Sequence, residues 1–494
     1  MRAMEGTPSG LALVVCVVAV VLVLGVVLRN LLRWRSRVRW HVEPSSRLVA
    51  IYHPFCASGG GGERVLWKLL DTLASLHSRG ALRLHVVIFT ADQGKSSQEI
   101  LKSAQNRFGI DLVACGMPVD FIFIPMSLVR LVLPETWPRL TMVGQSLGSL
   151  LVAGYGLLSA TPDIYMDTTG AAFTFPLSFF VFGARCVAYV HYPTVSVDML
   201  RLVYERRTSY NHDSAVASSS LASAVKLLYY SVFALGYGLC GSCCSLTMVN
   251  SRWTEGHIRR LWRFGAVRPV VVYPPVGVQD FQGEKKGGLQ QLGVHRIISI
   301  GQFRPEKDHP LQLRAFSLLT KQLARSSVRL ELVLLGSCRS EDDERRVDEL
   351  KRLAADLGIS DSVVWVLNCS FEGLKGWLAK STLGLHTMWN EHFGIGVVEM
   401  MAAGLVVVAH ESGGPKVDIV CPTVDEDKEN GVGFLADSAE SFASAMRRAL
   451  DLSSDHRTEV TSHARARSAM FSDAAFSSAI EAIVNDPERA RGIF

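Results

Sequence analysis

Charge is scarce in this 494-residue chain: Asp, Glu, Lys and Arg make up 20% of it, against 48% apolar residues. That balance excludes a disordered or coiled-coil chain. Lys and Arg form no tract beyond one near the start, and the formal net charge is only +5. No nucleic acid partner is expected, whereas a phosphate-bearing small molecule or an anionic lipid surface fits. The ten cysteines are scattered and give no disulfide framework for so long a chain. Cys240, Cys243 and Cys244 lack the second pair or nearby histidines of a closed zinc site. They read as mostly buried thiols in a reducing compartment, and no metal site is expected. Also missing are an HExxH motif and a Ser-His-Asp order, so neither metalloprotease nor covalent hydrolase chemistry is supported.

What the chain does have is a run without charge at residues 11–28, just long enough to cross a bilayer as a helix. No small-residue cleavage site follows it. Arg29, Arg33, Arg35, Arg37 and Arg39 follow instead, interleaved with Trp34 and Trp40, while Arg2 stands alone against Glu5 on the other side. The positive-inside bias then predicts a single-pass anchor with a short N-terminus across the membrane and the folded bulk in the cytosol. Three further uncharged stretches, 140–162, 168–184 and 227–249, are long enough to span. Each adjoins a strand that the sheet needs, so buried or interfacial helices facing the membrane are expected rather than further spans.

A chain of this length predicts two folded units. Residues 47–74 read as a strand, a loop ending in Gly59–Gly62 and a helix, the opening of an α/β sheet. Apolar runs at 84–89, 121–124, 164–166, 187–190 and 246–249 suit strands buried on both faces. In "PVVVYPPVGV", residues 269–278, a strand ends in Pro274 and Pro275, which mark a boundary. A second series follows at 297–300, 330–335, 363–367, 383–386 and 406–409, with an amphipathic helix over 341–359. The expected parts are an anchor and basic flank over 1–40, a membrane-associated α/β domain over 41–275, a second α/β domain over 276–455, and closing helices over 456–494.

Several residues can carry chemistry. Gly61 and Gly62 open a helix whose free N–H groups suit an anion, although a flexible turn explains the glycines equally well. Gly301, Arg304 and Lys307 follow the first strand of the second half, placing two cations where a diphosphate leaving group could gather charge. The alternative pairs Arg304 and Lys307 with Glu306 and Asp308 on the surface. In "NEHFGIGVVEM", Glu391 precedes a glycine turn and Glu399 sits inside the next helix, which suits one ligand with two polar ends. Gly413 and Gly414 form another turn able to approach a ligand closely. His191 ends a strand and either binds a sugar hydroxyl or packs as a satisfied histidine.

These residues resemble the retaining glycosyltransferases with two facing nucleotide-binding-like domains, the GT-B fold of glycosyltransferase family 4. The paired glutamates appear as Glu391 and Glu399 and the basic pair as Arg304 and Lys307. The resemblance implies that the domain over 41–275 binds the acceptor and that over 276–455 the nucleotide sugar, that Glu399 contacts the nucleotide ribose, that Glu391 contacts donor-sugar hydroxyls, and that the last helix crosses back to the first domain. "HPFCASGGGGERVLW", "DTTGAAFTFP", "YVHYPTVSVDML", "NSRWT", "YPPVGV", "GQFRPEKDH", "HTMWNEHFGIGVVEMMAAG" and "HESGGPKVDIV" narrow the resemblance. They are similar to the α-1,2-mannosyltransferases of dolichol-linked oligosaccharide assembly on the cytosolic face of the endoplasmic reticulum. Leu405 departs from the wider family, where a proline commonly stands.

That resemblance implies GDP-mannose as donor, no required metal, and a dolichol-diphosphate-linked Man3GlcNAc2 acceptor that gains its fourth and fifth mannoses. Membrane lipid and other mannosyltransferases of the same pathway are the implied partners. A related mannosyltransferase of different linkage and a sugar-nucleotide epimerase remain open at this point.

Overall fold

The computed structural model describes residues 10–112, 115–196, 198–199, 220–265, 268–281, 294–325, 328–427, 429–490 and 493. Arg2 and Glu5, used above for topology, lie outside them.

The uncharged run and its arginine flank form one helix, α1 (Gly10–Arg39). Behind it come β1 (Arg47–Tyr52), α2 (Gly61–Ser78), β2 (Leu84–Thr90), α3 (Ser97–Phe108), β3 (Val119–Phe123), α4 (Thr141–Ser159), β4 (Ile164–Asp167) and β5 (Arg185–Val190). Then follow α5 (Ser220–Gly241), β6 (Cys244–Val249), α6 (Arg252–Leu261) and β7 (Val270–Val271). The seven strands are all parallel, in the order β3-β2-β1-β4-β5-β6-β7. Every residue of β2 and β4 is buried, as a sheet covered on both faces requires.

The second unit contains β8 (Val294–Ile300), α7 (His309–Gln322), β9 (Arg329–Gly336), α8 (Glu341–Asp356), β10 (Val363–Leu367), α9 (Phe371–Ala379), β11 (Leu383–His386), α10 (Ile395–Ala402), β12 (Val406–His410), β13 (Gly433–Ala436) and α11 (Ala439–Asp451). Its sheet runs β10-β9-β8-β11-β12-β13, again parallel. Both sheets reverse direction beside their first strand, between β1 and β4 and between β8 and β11. The crevice outside the carboxyl ends at such a reversal is where open α/β sheets bind ligands.

Some expectations need correction. Strand β13 went unread because its four residues follow a polar loop with no periodic signal. Residues 168–184 form short 3-10 and π turns (Ala172–Thr174, Leu177–Val181) rather than a helix, since Pro176 interrupts them. Among the cysteines only Cys56, Cys186 and Cys244 are buried, and Cys16 is exposed. The chain also crosses back later than residue 456. Helix α12 (Ser454–Ser468) buries Val460 and Ala464 in the second unit, and only α13 (Asp473–Asn485) places Phe476, Ile480 and Ile483 in the core beside α2.

The apolar helices divide by burial. None of the spanning window of α1 is covered by protein, whereas 39% of that of α4 and 33% of that of α5 is. The uncovered side of α4 carries Leu147, Leu151, Tyr155 and Leu158, and that of α5 carries Leu228, Val232, Leu235 and Leu239, each a stripe at helical spacing. Phe180 and Val181 add to the exposed apolar surface.

The arginine flank of α1 does more than face an interface. Arg37 bonds Asp163 at 3.1 Å and also donates to the carbonyls of Glu43, Pro44 and Ser46. Arg33 donates to Gly183 O at 2.5 Å, Ser36 Oγ accepts from Thr161 N, and Trp40 Nε1 donates to Ser159 O. The helix is thereby bracketed to the first sheet's loops.

Candidate active site between the two sheets

Glu391 lies in the loop before α10. Asn390 takes a left-handed conformation (φ +51) and its N–H donates to Ser412 Oγ at 2.7 Å. Gly414 N–H donates to Glu391 O at 2.7 Å. A Cβ at Gly413 would stand 2.2 Å from that oxygen, and one at Gly414 would stand 2.6 Å from Phe393 Cα. The double glycine is therefore required by close packing on the 390–393 backbone, whatever it does for a ligand.

Lys307 meets the Glu391 carboxylate with Nζ 2.5 Å from Oε2, and His386 Nε2 lies 3.3 Å from the same oxygen. Burial raises the Glu391 pKa, but Lys307 and His386 outweigh it and hold the carboxyl well below its ordinary range. The Lys307 backbone is braced in turn: its carbonyl accepts from Thr387 Oγ1, which accepts from Gln312 Nε2. Asp308 caps α7 through Leu311 N–H. The surface pairing of Lys307 with Glu306 or Asp308 is thus replaced by a pair across the site. Arg304 is exposed and makes no ion pair among the described residues. Gly301 immediately follows β8, with Lys307 Cδ 3.4 Å from where its Cβ would lie.

Glu399 sits one turn inside α10 among buried Val397, Val398, Met400 and Met401. Burial pushes its carboxyl up to about 7 against the pull of Arg64 on α2. Arg64 in turn donates to Pro275 O and to Asp473, which opens α13 beside α2.

From the first unit, α2 begins at Gly61, where a Cβ would stand 2.7 Å from Ile395 Cδ1 of the second unit. A Cβ at Gly62 would stand 3.7 Å from His191 Nε2, an ordinary contact, so the histidine ring lies beside the start of α2. His191 follows β5, and its Nε2 is buried without a hydrogen-bond partner. Burial, with the neighbouring His53, lowers its pKa to about 4, so the ring is neutral. The structure thus gathers Gly61, Gly62, His191, Lys307, Glu391 and Glu399 where the two units face each other.

Sequence reasoning missed the contacts that hold this arrangement. Ser251 Oγ donates to His392 O at 2.6 Å, and Asn390 Nδ2 donates to Asp198 at 2.9 Å. His392 stacks on Tyr192 with ring centroids 3.9 Å apart, and Trp253 lies nearly parallel to both. Fully buried Asp418 accepts from Arg252 N and Nε and from Tyr273 OH. His386 was missed too, although a histidine ending a strand is the signal that drew attention to His191.

Two family models match the chain, the ALG11 mannosyltransferase N-terminus over residues 46–262 and glycosyl transferases group 1 over 282–467. A Mus musculus protein named GDP-Man:Man(3)GlcNAc(2)-PP-Dol alpha-1,2-mannosyltransferase is 44% identical over 452 residues, 89% of each chain. The chain belongs to this α-1,2-mannosyltransferase family. Proteins of the same name from Xenopus laevis (46% identical, 87% of this chain and 85% of the relative) and Dictyostelium discoideum (37%, 87% and 82%) are also similar. Among solved structures, Anabaena Alr3699/HepE in complex with UDP and glucose aligns with a TM-score of 0.57 at 18% identity, covering 89% of this chain and all of that one. Sucrose-phosphate synthase from Thermosynechococcus elongatus aligns at 0.59 and 16%, covering 88% and 98%. At such identities these two speak for the GT-B fold alone.

Proposed function

We propose that the chain transfers mannose from GDP-mannose to dolichol-diphosphate-linked Man3GlcNAc2, adding the fourth and fifth mannoses in α-1,2 linkage to give Man5GlcNAc2. The observation that carries this reading is the match along nearly the whole chain to relatives named for that reaction. The epimerase alternative has no such support.

In the mechanism we favour, the C1–O bond to the diphosphate breaks as the acceptor 2-hydroxyl attacks from the same face. The hydroxyl proton passes to the departing diphosphate oxygen, so GDP leaves and the anomeric configuration is retained. Arg304 and Lys307 meet the charge that grows on the diphosphate, which a positioned cation does without reorganising. Glu391, ionised beside Lys307 and His386, holds sugar hydroxyls and tolerates positive charge at C1. Neutral His191 offers its unpartnered nitrogen to the donor mannose. Glu399 holds the ribose, while Gly61, Gly62, Gly301, Gly413 and Gly414 let backbone come near the nucleotide sugar. The two cations take the part of a divalent ion, and the reaction proceeds without one.

We place the protein in the endoplasmic reticulum membrane, crossing once through α1, with a short lumenal N-terminus and the catalytic units in the cytosol. The Arg29–Arg39 flank supports that orientation, and the uncovered stripes of α4 and α5 support contact with membrane lipid. Other mannosyltransferases of the pathway are proposed neighbours. Incubating the purified protein with GDP-mannose and lipid-linked Man3GlcNAc2, followed by linkage analysis, tests the reading. A product of other linkage, or a new free sugar nucleotide, would overturn it.

A further inference from the structure

Glu391 stands between two residues that reach the first unit. On one side Asn390 holds its left-handed backbone, a conformation that asparagine and aspartate tolerate better than most residues, and its Nδ2 donates to Asp198 Oδ2 at 2.9 Å. On the other side the His392 carbonyl accepts from Ser251 Oγ at 2.6 Å, and its ring stacks on Tyr192. The Glu391 side chain itself turns to Lys307 and His386 of the second unit. The turn is therefore placed from one unit and its carboxylate held by the other.

Asp198 is the anchor on the first unit. His257 Nε2, on α6, lies 3.4 Å from the same oxygen that accepts from Asn390. The His257 ring is buried and packs edge-on against Trp253, with centroids 4.3 Å apart. No Lys or Arg pairs with Asp198 among the described residues, so its partners are an amide and an imidazole, groups that bond by direction as much as by charge. The segment that carries Asp198 is braced as well. Met199 N–H donates to Ser196 Oγ at 3.1 Å, and Thr194 Oγ1 donates to Gly170 O at 3.3 Å. The same segment begins at His191, which directly follows β5. One short braced stretch thus presents His191 at one end and holds the turn that bears Glu391 at the other.

We propose that Asp198 is a positioning residue for the transfer reaction: through Asn390 it sets the Glu391 carboxylate in register with His191, so that both meet one donor mannose. The inference rests on the mannosyl-transfer reading and gives Asp198 no contact with either substrate. A group misplaced by about 1 Å can cost roughly a hundredfold in rate. The groups assigned above to the nucleotide, Glu399 and Arg304, lie on other elements, so loss of Asp198 should appear in turnover and leave nucleotide binding in place.

The test is transfer kinetics with full-length protein in detergent, varying GDP-mannose and lipid-linked Man3GlcNAc2 separately, beside GDP affinity by calorimetry. Asp198→Ala should lower kcat by roughly tenfold to a hundredfold while GDP affinity and the GDP-mannose KM stay within about twofold. Asp198→Asn keeps an oxygen that accepts from Asn390 Nδ2 and should return kcat to within about threefold of the parent. Asn390→Asp sets two carboxylates against each other and should be as slow as Asp198→Ala. Adding Asp198→Asn to it supplies an amide donor again and should raise kcat several-fold. A kcat for Asp198→Ala within about twofold of the parent would overturn the proposal. So would an Asp198→Asn variant as slow as Asp198→Ala, or GDP affinity that falls in step with turnover, since Asp198 would then maintain the folded interface and not the Glu391 carboxylate. Should Asp198→Ala fail to fold, the two Asn390→Asp proteins decide, and a double variant no faster than Asn390→Asp alone overturns the pairing. A parent that moves no mannose to lipid-linked glycan would defeat the underlying reading and this inference together.

Discussion

Replacing Lys307 by alanine would leave Glu391 as a buried carboxylate with only the histidines His386 and His392 acting on it in place of a fixed cation. In the parent the two charged atoms lie 2.5 Å apart, with side chains 22% and 13% exposed. Removing one partner of a buried ion pair costs about 3–5 kcal/mol, and the residual exposure reduces this to roughly 2–3 kcal/mol. For a cooperative unit of this size, each kcal/mol shifts Tm by roughly 2–4 °C, so Lys307→Ala should melt about 4–12 °C lower at neutral pH. The pH dependence follows from the sign of the Glu391 shift. Its folded pKa is depressed, so its contribution is complete above the unfolded value, roughly 4.3, and is lost as pH falls through the folded value. In the variant burial acts on Glu391 without Lys307 to oppose it, so its carboxylate takes up a proton at higher pH than in the parent. The deficit should therefore be largest at neutral pH and shrink on acidification. Thermal melts of the detergent-purified parent, Lys307→Ala, Glu391→Ala and the double variant, without donor, measure it. The double variant should lose less than the sum of the singles by at least about 1 kcal/mol. Additive losses, or a deficit that grows with acid, would refute the pairing.

Four other outcomes are expected. Glu399, with a carboxyl near 7, accepts more strongly from ribose hydroxyls when ionised, so GDP affinity measured by calorimetry should rise between about pH 6 and 8, and Glu399→Ala should be weaker and flat; a pH-independent parent would count against the ribose role. Glu391→Gln should slow transfer while leaving GDP-mannose affinity mostly intact, and mass spectrometry of parent protein quenched during turnover should find no mannose on Glu391, since a competent adduct would make that residue the nucleophile. Removing residues 1–28 should only partly release the protein from membranes, because the stripes on α4 and α5 remain; full release with full activity would show them to be ordinary surface. Transfer should persist in excess chelator, and loss restored by a divalent ion would return the diphosphate chemistry to a metal.

The sequence by itself determined the local features, because period, charge and glycine placement act between near neighbours. The uncharged run specified α1, the apolar runs specified twelve of the thirteen strands to within a few residues, and the spacing of Glu391 and Glu399 put one in a turn and the other in α10. Strand β13 and the turns over 168–184 escaped because short elements between loops draw their stability from the sheet rather than from their own pattern. Only the tertiary structure decided who faces whom. Lys307 meets Glu391 across 84 positions of chain, and Ser251 reaches His392 across 141. Two turns that each read as ligand contacts, at 301–307 and 413–414, prove to support Glu391 as well: one supplies its counter-ion, the other a backbone small enough to pack on its carbonyl. The burial that shifts Glu391 downward and Glu399 upward arises from residues distant in sequence, so no local pattern could carry the opposite ionisation of two glutamates eight residues apart.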